Sequence, residues 1–109
     1  MTTTELPVQV PVGADGLLLH DGDHVAQLAL ALENLELALS DAGSAPIDLV
    51  ELRIRTIDRR LLDDAYEVLT DRLAVHGVQP RVTVHVVDRL EPSGAVLAIA
   101  ARVGGRSGI

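Results

Sequence analysis

The sequence predicts an α+β fold in which two helices pack on one face of a single β-sheet. Two segments carry apolar residues at helical spacing, and other segments alternate between apolar and polar residues, as half-buried strands do. Their order is strand, helix, strand, helix, strand, strand. With 109 residues and no internal repeat or long linker, the chain is predicted to be one domain, residues 1–109. Its last residues, 104–109, are predicted to form a mobile tail.

The first half of the chain predicts an edge strand and a long helix. Residues 6–12 alternate, but Pro7 and Pro11 restrict them to a short or edge strand. A helix is predicted from Asp23, a suitable N-cap, to Gly43, a suitable residue to follow the C-terminus. Its apolar stripe consists of Val25, Leu28, Leu32, Leu35 and Leu39.

The middle of the chain predicts a second strand and a second helix. In residues 47–57, apolar residues that include Val50 alternate with charged ones, which predicts a strand with one core face and one charged face. Asp58 can cap a helix that runs through about Val75 and ends at Gly77. Both helices are expected to cover the same face of the sheet.

The third strand, residues 81–87, places a permanently charged guanidinium among β-branched residues. Its valines point to one face, whereas Arg81, Thr83 and His85 point to the other. Pro80 precedes the strand and cannot donate a hydrogen bond, so we expect Arg81 near a sheet edge or end, where a small anion can reach it.

A last strand is predicted over residues 95–103. Because a short connection containing proline and glycine precedes it, we expect it to pair antiparallel with the Arg81 strand. The sheet face away from the helices is then charged and is either solvated or a surface where subunits meet. Its predicted members are Glu51, Arg53, Arg55, Arg81, His85 and Arg102.

Composition excludes several classes of function. All nine basic residues are arginine, so no lysine can form a Schiff base, and the absence of cysteine excludes thiolate chemistry. A net charge of −7 and a single aromatic residue, Tyr66, argue against a nucleic-acid partner. No apolar run approaches the length of a membrane span, and no leader pattern is present, so the prediction is a cytoplasmic protein without a membrane partner.

Two further groups of residues suggest chemistry only weakly. The segment from His20 to His24 offers two imidazoles and two carboxylates, but the spacing fits no known metal motif and Asp23 already has a capping role; no metal site is predicted. Ser93 lies in a turn without the context of a nucleophile elbow, which argues against a serine hydrolase.

The sequence resembles the Rid family of reactive intermediate deaminases, also called the YjgF group. The similarity covers about four-fifths of the chain in one collinear order. On the first helix it includes Gln27, Asn34-Leu35, Leu39 and Ala42-Gly43. It continues through Asp48-Leu49-Val50, Asp58, Pro80-Arg81-Val82-Thr83-Val84, Leu90, Pro92-Ser93-Gly94 and the closing strand to Ala101.

This resemblance implies a chorismate-mutase-like fold assembled as a homotrimer, with ligand clefts between subunits and no cofactor. It also implies hydrolysis of 2-imino acids, such as 2-iminopropanoate or 2-iminobutanoate, to 2-oxo acids and ammonia. Arg81 matches the family arginine that grips the substrate carboxylate, and a guanidinium fork suits that group. Thr83 occupies a position that is commonly Cys or Ser and is the second candidate catalytic residue.

Gln9 and His85 complete the candidate substrate-binding set. Gln9 is what remains of the family's N-terminal Ser-Gly-Gln motif, and His85 can act as an acid or base near neutral pH. His85 can equally be a surface or interface histidine, and Arg81 can equally pair with Asp88, Glu91 or a neighbouring subunit.

The sequence also departs from the family pattern. Ala98 stands at the position of a glutamate that is thought to position the attacking water, and Ala100 stands at an acidic position two residues further on. The alternatives are therefore a non-catalytic Rid-like trimer that binds small carboxylates or serves as a partner subunit, and a Rid-like protein recruited to a biosynthetic pathway. In the latter case, the two small alanines would leave room for a larger substrate.

Overall fold

Two helices cover one face of a four-stranded sheet in the computed structural model, which describes residues 3–104. Short 3₁₀ turns precede the second strand and the second helix. The α+β class and the placement of both helices on one face are confirmed. The elements are β1 (Thr3–Glu5), α1 (His24–Asp41), β2 (Leu49–Thr56), α2 (Leu62–His76), β3 (Arg81–Val86) and β4 (Leu97–Gly104).

Two of the predicted capping residues lie at helix ends, Asp23 before α1 and Gly77 after α2. The Asp23 carboxylate accepts a hydrogen bond from the Ala26 amide at 3.0 Å, which satisfies a free N–H group in the first turn of α1. Gly77 ends α2 in the left-handed conformation, with φ of 66°. Asp58 accepts from the amide of Arg60, in the 3₁₀ turn, so α2 begins a few residues after its predicted cap.

The core lies between the helices and the inner face of the sheet and is almost entirely aliphatic. One predicted core position is wrong: Val50 remains 38% exposed, because the register between β2 and β4 shifts between Leu49 and Glu51. Fully or almost fully buried members include Leu28, Leu35, Leu39, Leu52, Ile54, Leu69, Leu97 and Ile99.

The strand order is β1-β4-β2-β3, with β2 parallel to β3 and β4 antiparallel to both β1 and β2. The predicted antiparallel pairing of β3 with β4 is therefore wrong. Residues 87–96, which connect these strands, are too many for a tight hairpin and cross the end of β2. Since β4 is buried along nearly its whole length, it takes a central place, whereas the alternating β3 lies at the edge.

The N-terminal segment runs along the edge of β4 that faces away from β2. Only Thr3–Glu5 forms a regular strand, and the predicted strand over residues 6–12 is reduced to a bridge between Gln9 and Ile99. The two prolines explain this, because they cannot donate to the ladder. Of the predicted tail, Gly104 belongs to β4, and residues 105–109 lie outside the described residues.

None of the helices within residues 3–104 combines the length and the apolar character that crossing a bilayer requires.

Candidate functional site

The sheet face turned away from the helices, here called the outer face, carries the predicted charged side chains in three rows. Paired residues on neighbouring strands share a face, so the register defines each row across β3, β2 and β4. Glu5 of β1 extends the first row through its pairing with Arg102. The rows are Arg81–Glu51–Arg102, Thr83–Arg53–Ala100 and His85–Arg55–Ala98.

Glu51 is the centre of an ion-pair network in the first row. Its side chain is almost completely covered, and Arg53 Nε donates to Glu51 Oε1 at 2.6 Å. Arg102 Nη2 lies 3.3 Å from Glu51 Oε2, and Arg53 Nη1 lies 3.1 Å from Glu5 Oε1. Two guanidiniums thus hold one carboxylate, and the network links β2, β4 and β1.

The same contacts determine the protonation state of Glu51. The hydrogen bond from Arg53 lowers the pKa of Glu51; burial opposes this shift, and the positive charges of Arg102, Arg53 and Arg81 reinforce it. A carboxylate that is ionised and already occupied by two guanidiniums is a poor proton acceptor. Glu51 is therefore suited to holding the arginines in place rather than to acting as a general base.

Arg81 lies at the exposed start of the edge strand β3. Among residues 3–104, no carboxylate oxygen lies within 4 Å of its guanidinium, although Glu51 faces it across the ladder. Asp88 and Glu91, the alternative partners considered from sequence, follow the opposite end of β3. Since the neighbouring carboxylate is held by other arginines, the Arg81 fork can accept an anion from solution.

Thr83 and His85 follow Arg81 along the outer face. Successive residues on one face of a strand are about 6.7 Å apart, so Thr83 is the nearer of the two to Arg81. Thr83 Oγ1 lies 3.4 Å from His85 Nε2, which is a long polar contact. The structure thus places three of the four candidate site residues together on one strand.

Several solved structures are similar to this chain over nearly its whole length. Escherichia coli TdcF with bound serine is 24% identical, with a TM-score of 0.83 over 95% of this chain and 81% of that chain. The E. coli YjgF gene product is 22% identical, with a TM-score of 0.82 over 95% and 81%. A Mycobacterium tuberculosis member of the YjgF/YER057c/UK114 family is 26% identical, with a TM-score of 0.75 over 93% and 77%.

The chain has the YjgF/Rid fold. This confirms the fold that the sequence resemblance implied. No protein-family model matches the sequence, and no protein of curated function is significantly similar to it. Other proteins with the Rid fold bear names as different as endoribonuclease and translation initiation inhibitor, so the fold does not determine the reaction.

Gln9, the fourth candidate, is separated from Arg81 within the chain. Its backbone pairs with Ile99 of β4, and β2 lies between β4 and β3, so three strand spacings, about 14 Å, separate Gln9 from β3. The pairing also directs its side chain to the helix side of the sheet, where Nε2 donates to the Pro7 carbonyl at 2.7 Å. Gln9 cannot reach a ligand that Arg81 of the same chain holds.

Two polar residues of the Rid resemblance have structural roles on the helix side. Gln27 is fully buried, donates to the Gly94 carbonyl at 3.1 Å and accepts from the Val96 amide at 2.9 Å. Asn34 Nδ2 donates to the carbonyls of Val10 and Val12 at 2.9 and 3.0 Å. These amides fix the N-terminal segment and the β3–β4 connection to α1.

The outer face also shows what the sequence did not reveal. The sequence places Glu51 on this face, but its burial between Arg53 and Arg102 depends on which strands are neighbours, and the sequence predicts β4 beside β3 rather than beside β2.

The two alanines of the outer face leave no open space within the chain. Ala98 is fully buried and Ala100 is 8% exposed, so the room that small side chains would leave is already filled. Neither alanine, nor Arg81, lines any of the five cavities found in residues 3–104.

The segment from His20 to His24 makes helix contacts. Asp23 caps α1, and His24 Nε2 lies 2.7 Å from Asp64 Oδ1 on α2. The contact with His24 lowers the pKa of Asp64. No group of three or more potential metal ligands converges within the part of the chain that the structure describes.

Proposed function

We propose that this protein binds small 2-imino and 2-oxo carboxylates through Arg81 and hydrolyses the imines to 2-oxo acids and ammonia. The observation that carries the proposal is the Arg81 guanidinium, which has no carboxylate partner within 4 Å among the described residues and shares a strand face with Thr83 and His85. The Rid fold supports it, because one protein with this fold, TdcF, was crystallised with serine, itself a small carboxylate.

The proposed reaction requires little from the protein. Water adds to the carbon of the C=N bond, the nitrogen takes up protons, and the resulting carbinolamine expels ammonia as the 2-oxo acid forms. Because the imine carbon is bonded to the carboxylate carbon, an arginine that fixes the carboxylate also positions the reacting carbon. Thr83, the next residue on this face, is suited to orient the water.

Proton transfer would fall to His85 rather than to a carboxylate. Glu51 is occupied by Arg53 and Arg102, and the two family acidic positions are alanines in this chain. An imidazole can exchange protons near neutral pH, and the contact with Thr83 Oγ1 links His85 to the proposed water position. This leaves fewer proton-transfer groups than the family pattern provides.

A homotrimer with clefts between subunits would complete the site. The open position of Arg81 on an edge strand leaves one side of a bound ligand uncovered by its own chain. Gln9 can contribute to the proposed site only from a neighbouring subunit.

The test generates 2-iminobutanoate with an amino-acid oxidase and follows its trapping by semicarbazide with and without the protein. Active protein diverts the imine and slows trapping, and Arg81→Ala is expected to lower this activity about tenfold or more, the effect of losing a charge-assisted hydrogen bond. Arg59→Ala, at an exposed arginine in the 3₁₀ turn before α2, is the matched control and should be unchanged. Trapping that the protein does not slow, or that Arg81→Ala slows equally, would contradict the proposal.

A second candidate is a carboxylate-binding protein without catalysis. The observation that favours it is the occupied state of Glu51 together with Ala98 and Ala100 on the same face. Calorimetry with 2-oxobutanoate separates the two candidates when it is paired with the trapping assay. Binding that depends on Arg81 without turnover supports the binding protein, and turnover supports the deaminase.

A further inference from the structure

Arg55 is a second arginine on the outer face that has no carboxylate partner within the part of the chain that the structure describes. Among residues 3–104, no carboxylate oxygen lies within 4 Å of its guanidinium, whereas Arg53 and Arg102 on the same face both contact Glu51. Arg55 lies on β2, between β3 and β4, and is partly buried. Its planar fork is therefore open to a carboxylate from solution.

The charges of the outer face are unevenly distributed. The acidic residues of the face, Glu5 and Glu51, both lie in the first row, where Arg53 and Arg102 contact them. The third row carries Arg55, His85 and an alanine and has no acidic member. Arg81 at the start of β3 and Arg55 beside its other end therefore carry positive charges that the acidic residues of the outer face do not contact, in a chain whose net charge is −7.

The two unpaired arginines lie on opposite sides of Thr83. Arg81 is two residues before Thr83 on β3, and Arg55 pairs with His85, two residues after it. From strand geometry, the Cα atoms of the two arginines are about 14 Å apart. Each guanidinium is carried on a flexible three-carbon stem, so both forks can lean toward Thr83 from either end.

We infer that Arg55 is a specificity residue that binds a second carboxylate, so that the site prefers four- to five-carbon diacids such as the imines of 2-oxosuccinate and 2-oxoglutarate. Arg81 holds the carboxylate beside the imine carbon, and Arg55 holds the distal one. A monocarboxylate reaches Arg81 but leaves Arg55 without a partner. This inference rests on the proposed function, since it assigns the substrate class of the same site.

The experiment measures binding of 2-oxoglutarate and 2-oxobutanoate by calorimetry, at an ionic strength of about 0.15 M to screen non-specific attraction. In the unmodified protein, 2-oxoglutarate is expected to bind about tenfold or more tightly, the effect of an added charge-assisted contact. Arg55→Gln should remove this preference and leave 2-oxobutanoate binding within about twofold, whereas Arg81→Gln should weaken both ligands.

Two further variants control for charge and folding. Arg59→Gln removes the same charge at an exposed position and should retain the preference, and Arg55→Lys keeps the charge without the fork and should retain part of it. Each variant is checked for its thermal unfolding and, by light scattering, for its mass.

Four results overturn the inference. The first is equal affinity for both ligands in the unmodified protein, and the second is an equal loss of affinity for both ligands in Arg55→Gln. Both of these leave the proposed function intact. A change of mass in Arg55→Gln with an unchanged preference would assign Arg55 to a subunit contact instead. If the unmodified protein binds neither ligand, the proposed function fails together with the inference.

Discussion

Replacement of Gln27 by leucine is predicted to destabilise the protein strongly, although Gln27 lies on the opposite side of the sheet from the proposed site. Leucine is similar in size but leaves the Gly94 carbonyl and the Val96 amide without the side chain that bonds them. An unsatisfied buried group costs about 1–3 kcal/mol. Because Val96 is only partly buried and Gly94 is exposed, water can replace part of the lost bonding, and we expect a total loss of about 1–3 kcal/mol in the free energy of unfolding. For a domain of this size, this corresponds to a decrease in Tm of about 5 °C or more.

Gln9→Leu is the matched control for this prediction. The Gln9 amide makes one local bond, to the Pro7 carbonyl, and its side chain is partly exposed, so the same substitution should cost less than about 1 kcal/mol. Far-UV circular dichroism is the suitable assay, because the chain has no tryptophan and a single tyrosine. Both variants are compared at equal protein concentration, since assembly would shift Tm. A Tm of Gln27→Leu within about 3 °C of Gln9→Leu would refute the clamp role of Gln27.

Two other predictions concern Gly94 and Glu51. A Cβ on Gly94 would lie 2.6 Å from Leu18 Cδ2 and 3.0 Å from Asp21 Oδ1, at a φ of 94°. Both atoms end flexible side chains that can shift, so Gly94→Ala should cost about 1 kcal/mol more than Gly22→Ala, where φ is 81° and nothing lies within 4 Å of the added Cβ. Urea midpoints of the two variants measure this difference, and equal midpoints would contradict it. The pKa of Glu51 is lowered in the fold, chiefly by Arg53, so its stabilising effect is complete above the ordinary glutamate pKa and is lost as pH falls through the lowered value. Between about pH 6 and pH 3, the free energy of unfolding should therefore fall less for Glu51→Gln than for the unmodified protein. If the free energy of unfolding falls equally with pH in both proteins, Glu51 does not contribute to acid denaturation.

Local sequence patterns predicted the helices well. Asp23 and Gly77 delimit α1 and α2 because capping depends on a few adjacent backbone groups. The alternation around Arg81 predicted which side chains of β3 share a face, since side-chain direction in a strand follows from the residue spacing alone. The resemblance to the Rid family predicted the fold that the solved structures confirm.

Strand neighbours were harder to predict than strand faces. The proline and glycine of the β3–β4 connection suggested a hairpin, but Gln27 holds this connection to α1, and β4 lies on the far side of β2 from β3. The same long-range arrangement buries Glu51 between two arginines and moves Gln9 away from Arg81. None of these features has a signal at a fixed sequence spacing.

The sequence by itself determined where α1 begins, where α2 ends, which side chains of β3 share a face, and that an arginine opens the third strand. The tertiary structure alone decided that Arg53 and Arg102 contact Glu51, while Arg81 and Arg55, on either side of Thr83, have no carboxylate partner among residues 3–104. The physical reason is that capping and alternation act between residues close in sequence. Charge pairing on a sheet instead depends on which strands are hydrogen-bonded, and packing of the whole chain decides that order.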